Sequence, residues 1–160
     1  MTDFRGLLAA LRAARVDFIV VGGVAATVHG SARLTSDLDV VYSRDPANLG
    51  RVVQALARLY PYPRGAPKGL PFVWDPRTLE AGLNFTLATG LGDLDLLGEI
   101  TGGGTYADLL PHAFEVNLFG TPTRVLDLPT LIRTKRAAGR PKDFESVAEL
   151  EAIEEERRRS

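Results

Sequence analysis

Residues Val16 to Tyr42, VDFIVVGGVAATVHGSARLTSDLDVVY, constrain the fold more than any other stretch of the chain. Phe18 to Val21 is a short apolar run that stops at Gly22-Gly23. An apolar, β-branched run of that length bounded by glycine reads as a buried strand. Val24 to Val28 follows as a short helix, and Ser36 to Tyr42 as a second strand. A strand–turn–helix–strand unit of this kind commits the chain to a sheet with helices beside it.

The rest of the sequence alternates in the same way. Thr2 or Asp3 can cap a first helix that carries Phe4, Leu7, Leu8 and Leu11 on one face. Asp45-Pro46 starts another, with Leu49, Val52, Val53 and Leu56 facing the core. Tyr60 to Pro71, YPYPRGAPKGLP, is dense in proline and glycine and reads as a loop. Leu83 to Leu87 and Leu91 to Leu97 are expected to pair as strands turning at Thr89-Gly90, and Phe114 to Phe119 with Thr123 to Leu126 as a hairpin. Gly102 to Gly104 reads as a flexible connector. No Lys-Ser or Lys-Thr follows it, so it is not an ATPase phosphate loop. Asp127 caps a helix reaching about Ala138, stopped by Gly139 and Pro141. A last helix runs from about Lys142, with Glu154–Arg158 and Glu155–Arg159 spaced for ion pairs. The class is therefore α/β or α+β, in a single domain over residues 1–160 with its core at about 16–147 and the 60–71 loop interrupting it.

Composition narrows the chemistry. With no cysteine, a disulfide framework and a thiolate zinc site are excluded, and a reducing cytoplasm is the expected location. His29 and His112 lie too far apart in sequence to form a metal-ligand pair. No segment approaches the ~20 apolar residues of a membrane span, so no membrane partner is expected. MTDFRGLLAALRAAR reads as a charged helix and not a signal peptide. A net charge of −1 means that any anion site must be local. The chain has no G-x-S-x-G nucleophile elbow, and an acid–Leu–acid strand beside a glycine turn is not the separated carboxylate pair of a glycosidase.

Asp37 and Asp39 are the strongest chemical signal. Side chains two apart on a strand share a face, roughly 7 Å apart at the backbone. Leu38, Val40 and Tyr42 then point to the core. Two such carboxylates can converge on divalent cations ~3.5–4 Å apart, and without metal they are like charges held side by side. A wet edge strand or a helix cap at Asp37 would use the same residues differently. Gly22-Gly23, between a strand and a helix, offers unpaired N–H groups to a phosphate but lacks the dinucleotide pattern G-x-G-x-x-G. His29 reads as a packed, hydrogen-bonded histidine. Arg33 suits either a phosphate or a salt bridge to Asp37. Asp93 and Asp95 share a face in GDLDLL. Asp95, followed by Leu96 and Leu97, is costly to bury without a compensating cation or donor, whereas Asp93 sits at the strand's mouth. Arg133, Lys135, Arg136, Arg140 and Lys142 form a cationic run with no acid among them, which usually means a solvated helix face.

Taken together, Gly22-Gly23, Asp37-Leu38-Asp39 and a later acidic strand resemble the core of the nucleotidyltransferase superfamily that shares its catalytic domain with DNA polymerase beta. His29 to Asp39, H-G-x-x-R-x-T-x-D-L-D, is similar to a bacterial branch that includes toxin–antitoxin and abortive-infection nucleotidyltransferases. The resemblance implies a mixed sheet flanked by helices, with C-terminal helices. It implies that Asp37 and Asp39 hold two Mg2+ ions (Mn2+ is the alternative) and that Asp95 is the third acid. Gly22 and Gly23 would seat the β,γ-phosphates of an NTP such as ATP, and Lys135, with Arg33, would neutralise them. The implied reaction moves an NMP to an acceptor hydroxyl, with RNA, transfer RNA, a protein side chain and an antibiotic all open as the acceptor. An antitoxin or partner subunit is an expected partner. The rival expectation is a non-catalytic nucleotide- or partner-binding module. One departure stands out: related sequences tend to carry a second acid where this chain has Ser146.

Overall fold

The computed structural model describes Met1–Ser160. Helix α1 (Phe4–Ala13) leads into β1 (Phe18–Val21), α2 (Gly22–Val28) and β2 (Asp37–Tyr42), followed by α3 (Pro46–Leu56). Then come β3 (Tyr62–Pro63), α4 (Pro76–Ala81), β4 (Phe85–Thr89), β5 (Gly92–Leu97), β6 (Glu99–Ile100), β7 (Gly104–Thr105) and α5 (Tyr106–Leu109). Strands β8 (Ala113–Leu118) and β9 (Thr121–Leu126) and helices α6 (Leu128–Ala138) and α7 (Pro141–Arg159) complete the chain. A mixed seven-stranded sheet runs in the order β3-β4-β5-β2-β1-β9-β8. Parallel pairing joins β2 to β5 and β1 to β9; the other neighbours are antiparallel. The chain is thus the expected α/β class, a mixed sheet flanked by helices with two helices at the C-terminal end.

The core follows from the sequence pattern. Every residue of β1 is buried, as a run lying inside the sheet requires. Leu38, Val40 and Tyr42 are fully buried on β2, while Asp37 and Asp39 alternate with them. Leu7, Leu8 and Leu11 on α1 and Leu49, Val52 and Leu56 on α3 supply the helical faces. Asp3, not Thr2, caps α1 by accepting the Gly6 N–H at 2.8 Å. The Thr2 hydroxyl instead ties the residue before β2 to β5, donating to the Ser36 carbonyl and accepting from the Asp93 N–H. Asp127 caps α6 through the Thr130 N–H, and Gly139 ends that helix in the left-handed region. Both spaced pairs on α7 form, Arg158–Glu154 at 3.0 Å and Arg159–Glu155 at 3.4 Å.

Several local expectations change. The segment 60–71 is not all loop, because Tyr62–Pro63 pairs with Leu87 and Ala88 of β4 at the sheet's edge. Proline is tolerated there because an edge strand leaves N–H groups unused. Helix α4 is short and starts at Asp75-Pro76, a cap followed by proline that the surrounding loop composition hides. Gly102–Gly104 is no flexible connector: it turns the β6–β7 hairpin. A side chain at Gly103 would come within 2.9 Å of Thr134 on α6, so tight packing explains its glycine. Helix α2 begins at Gly22, two residues early, because Val21 is still extended and Gly22 turns the chain with φ +66°. Strand β4 is shifted two residues towards the C-terminus of the expected run.

Candidate active site

Strand register assembles the acids. In the parallel β2–β5 pair, Asp37 lies opposite Asp93 and Asp39 opposite Asp95. Period-two alternation then puts all four carboxylates on one face of two neighbouring strands. Asp37, Asp39 and Asp95 draw closest, each with a carboxylate oxygen within 4.8 Å of the others. Burial raises the Asp37 carboxyl above its ordinary range, and the Asp95 charge adds to this against the opposing Arg64. Burial also dominates at Asp39, and with the Asp37 and Asp95 charges it pushes that carboxyl up to about 8. Asp39 Oδ1 is buried with no hydrogen-bond partner. A buried acceptor left unpaired is costly. Three converging oxygen donors, one lacking any partner, fit a hard divalent cation, which would supply the missing charge.

The glycine pair lies directly against this cluster. At Gly22 a Cβ would overlap the Asp39 carboxylate, and at Gly23 it would come 2.6 Å from Thr35 Oγ1. The glycines therefore let backbone and carboxylate share one small volume, and no side chain caps the first turn of α2. Two cavities of about 360 and 320 Å³ meet at Gly22, Asp39, Lys135 and Arg140. The first is bounded partly by apolar residues, among them Leu97, Ile100 and Leu131. The second is polar and holds the acidic trio together with Arg33, Lys135, Arg140 and Lys142.

Of these four cations, two are already engaged. Arg33 pairs with Glu145 at 2.9 Å and Glu149 at 3.8 Å on α7, so it turns away from Asp37. Arg140 pairs with the buried Asp143 at 2.8 Å. Lys135 and Lys142 carry no ion pair. Burial lowers the Lys135 ammonium, opposed by the nearby Asp143 and Asp39 carboxylates. Lys135 is therefore no member of a solvated face: it lines both cavities. Ser146 lines the polar cavity one helical turn before Glu149, the acid that accepts from Ser31 and Ala32. His29 is buried, bonds the Leu126 carbonyl through Nε2 at 2.8 Å and packs on Phe114, as a structural histidine does.

Arg64 is the residue that sequence reading passed over. It follows β3 in the Pro/Gly-rich segment, where nothing periodic marks it. Its guanidinium reaches Asp95 at 2.7 Å, Asp93 at 3.4 Å and Asp37 at 3.7 Å. The usable signal was compositional: Arg64 and Lys68 are the two cations of a proline- and glycine-rich segment that holds no acid.

No protein-family model matches the chain, and no curated protein matches it in sequence. Among solved structures, it is similar to a crystal structure described as a "putative nucleotidyltransferase" from Thermotoga maritima. The two share 15% sequence identity with a TM-score of 0.57, over 91% of this chain and 88% of that one. The likeness establishes a nucleotidyltransferase-like fold.

Proposed function

We propose that this protein is a metal-dependent nucleotidyltransferase that moves a nucleoside monophosphate from an NTP to an acceptor hydroxyl. The observation that carries the reading is the β2–β5 register. It brings Asp39 opposite Asp95 beside the Gly22 backbone, with Lys135 across the same cavity. The shared fold supports it further.

Asp37 and Asp39 would hold divalent cations, Mg2+ or Mn2+, with Asp95 completing the set on the acceptor side. Bound there, such ions polarise the transferred phosphoryl group and acidify the attacking hydroxyl. The chain's own residues do the positioning. The uncapped N–H groups of Gly22 and Gly23 face the phosphates, and Lys135 offsets their charge from the opposite wall. Arg33 contributes only if the phosphates outcompete Glu145 and Glu149. The partly apolar cavity beside Leu97 and Leu131 adjoins the polar one at Gly22, Asp39 and Lys135 and offers room for a nucleoside. Positioning and electrostatics of this sort carry most of the rate in phosphoryl-group chemistry. Acceptors of the classes RNA, transfer RNA and protein fit the scheme, as does a partner subunit of the toxin–antitoxin kind that regulates the site.

The test is incubation with each α-labelled NTP, Mg2+ or Mn2+, and total RNA or cell lysate. Label on a macromolecule with wild type, absent with Asp39→Asn, is the expected result. NTP binding by wild type with no label on any acceptor would instead select the binding-module reading. No helix is long and apolar enough to cross a membrane.

A further inference from the structure

Arg64 places a positive charge in the middle of the acidic cluster. Three nitrogens reach three different carboxylates: Nη2 to Asp95 Oδ1 at 2.7 Å, Nε to Asp93 Oδ1 at 3.4 Å and Nη1 to Asp37 Oδ2 at 3.7 Å. Only the Asp95 contact is a hydrogen bond to a carboxylate. Nη2 also donates to the Leu87 carbonyl at 2.9 Å. The Nε atom is sealed from solvent with no hydrogen-bond partner at all. A guanidinium normally satisfies its fork of donors in a bidentate pair. Here it is spread over a cluster and imperfectly satisfied, so its hold is strong in charge and poor in geometry.

We infer that Arg64 is an internal cation that competes with divalent metal for Asp95 and Asp37, and that metal loading displaces its side chain. This rests on the reading of Asp37, Asp39 and Asp95 as a metal site. A divalent ion taken up by Asp95 would sit within a few ångströms of the guanidinium now bonded to Asp95 Oδ1 and repel it, and a side chain tied to a single flexible stem is the partner that can leave. The backbone does not need to move for the exchange. The Arg64 N–H is anchored to the Thr86 carbonyl at 2.9 Å, which extends the β3–β4 pairing. The long side chain can rotate away while that anchor holds. Without metal, Arg64 offsets the repulsion among four carboxylates. With metal, its role passes to the ion, and the freed guanidinium lies at the edge of the site where an incoming anion would meet it. Asp39, which has no ion pair with Arg64, stays available to the first ion throughout.

The experiment is Mn2+ titration by calorimetry of wild type, Arg64→Gln, Asp39→Asn and, as a control for net charge, Lys68→Gln, which removes an exposed cation from the same segment. Arg64→Gln should bind Mn2+ about 10-fold more tightly than wild type, within the usual range of coupling between competing sites. Lys68→Gln should differ little from wild type. If Arg64→Gln gains no more than Lys68→Gln, the inference is overturned, while loss of binding in Asp39→Asn keeps the metal site itself. If neither wild type nor Arg64→Gln binds Mn2+, the metal reading fails and this inference with it. Should Arg64→Gln fail to fold, nitrogen-15 NMR of wild type decides. Saturating Mg2+ should move the Arg64 Nε–H resonance and speed its exchange with water; an unmoved resonance overturns the inference.

Discussion

Asp39→Asn should stabilise the metal-free protein, and by an amount that depends on pH. The Asp39 carboxyl is pushed up to about 8 in the folded state, by burial first and then by the Asp37 and Asp95 charges. In an unfolded chain it titrates near 3.9. Between those values the folded state binds more protons than the unfolded one, so stability falls as pH rises. The slope is at most about 1.4 kcal/mol per pH unit, giving a ceiling of about 6 kcal/mol by pH 8. Water penetration and rearrangement of Lys135 and Arg64 screen a large part of that in a site of high effective dielectric. A gain of about 2–3 kcal/mol at pH 8 is therefore expected, or a Tm rise of about 5–10 °C for a chain of this size. At pH 4 the gain should vanish, since Asp39 is then protonated in the folded state. The assay is thermal unfolding of both proteins in chelator across pH 4 to 9. A Tm difference that is flat with pH, or of opposite sign, would refute the electrostatic account of this cluster.

Three further outcomes follow from named contacts. Lys135→Ala should weaken NTP binding more than NMP binding, because in the proposed function its charge offsets the β,γ-phosphates from the wall of the polar cavity; equal losses in calorimetry would reduce it to a surface charge. Asp95→Ala should abolish single-turnover transfer while NTP still binds through Asp37 and Asp39, and Asp93→Ala should keep most activity. The reverse result would mean that Asp93 is the third acid. Gly22→Ala should cost about 1–3 kcal/mol in chemical denaturation, because alanine resists positive φ and its Cβ would overlap the Asp39 carboxylate. Unchanged stability would show that the β1–α2 turn has room to relax.

Much of the framework was legible in local pattern. The β1 run, the Asp127 cap and the alternation of Leu38, Val40 and Tyr42 against Asp37 and Asp39 each report their own structure, because strand and helix periods are local properties. The β4 boundaries and the short α4 were harder, since a few residues flanked by turns carry little periodic signal. The glycine pair was legible as a turn but not for its full reason. Its closeness to Asp39 and Thr35 depends on how β1 and β2 pair.

By itself, then, the sequence determined the strand–helix–strand unit, the shared face of Asp37 and Asp39, and the shared face of Asp93 and Asp95. Only the tertiary structure decided how those two faces align. A one-residue slip between β2 and β5 would have sent one pair to the other side of the sheet, and the observed register instead sets Asp39 against Asp95. The cations were likewise decided there. Arg64 reaches the acids because β3 pairs with β4, and Arg33 turns to Glu145 because α7 packs nearby. Long, flexible charged side chains have no period to betray their partners, so which carboxylate each one meets depends on elements far away in the chain.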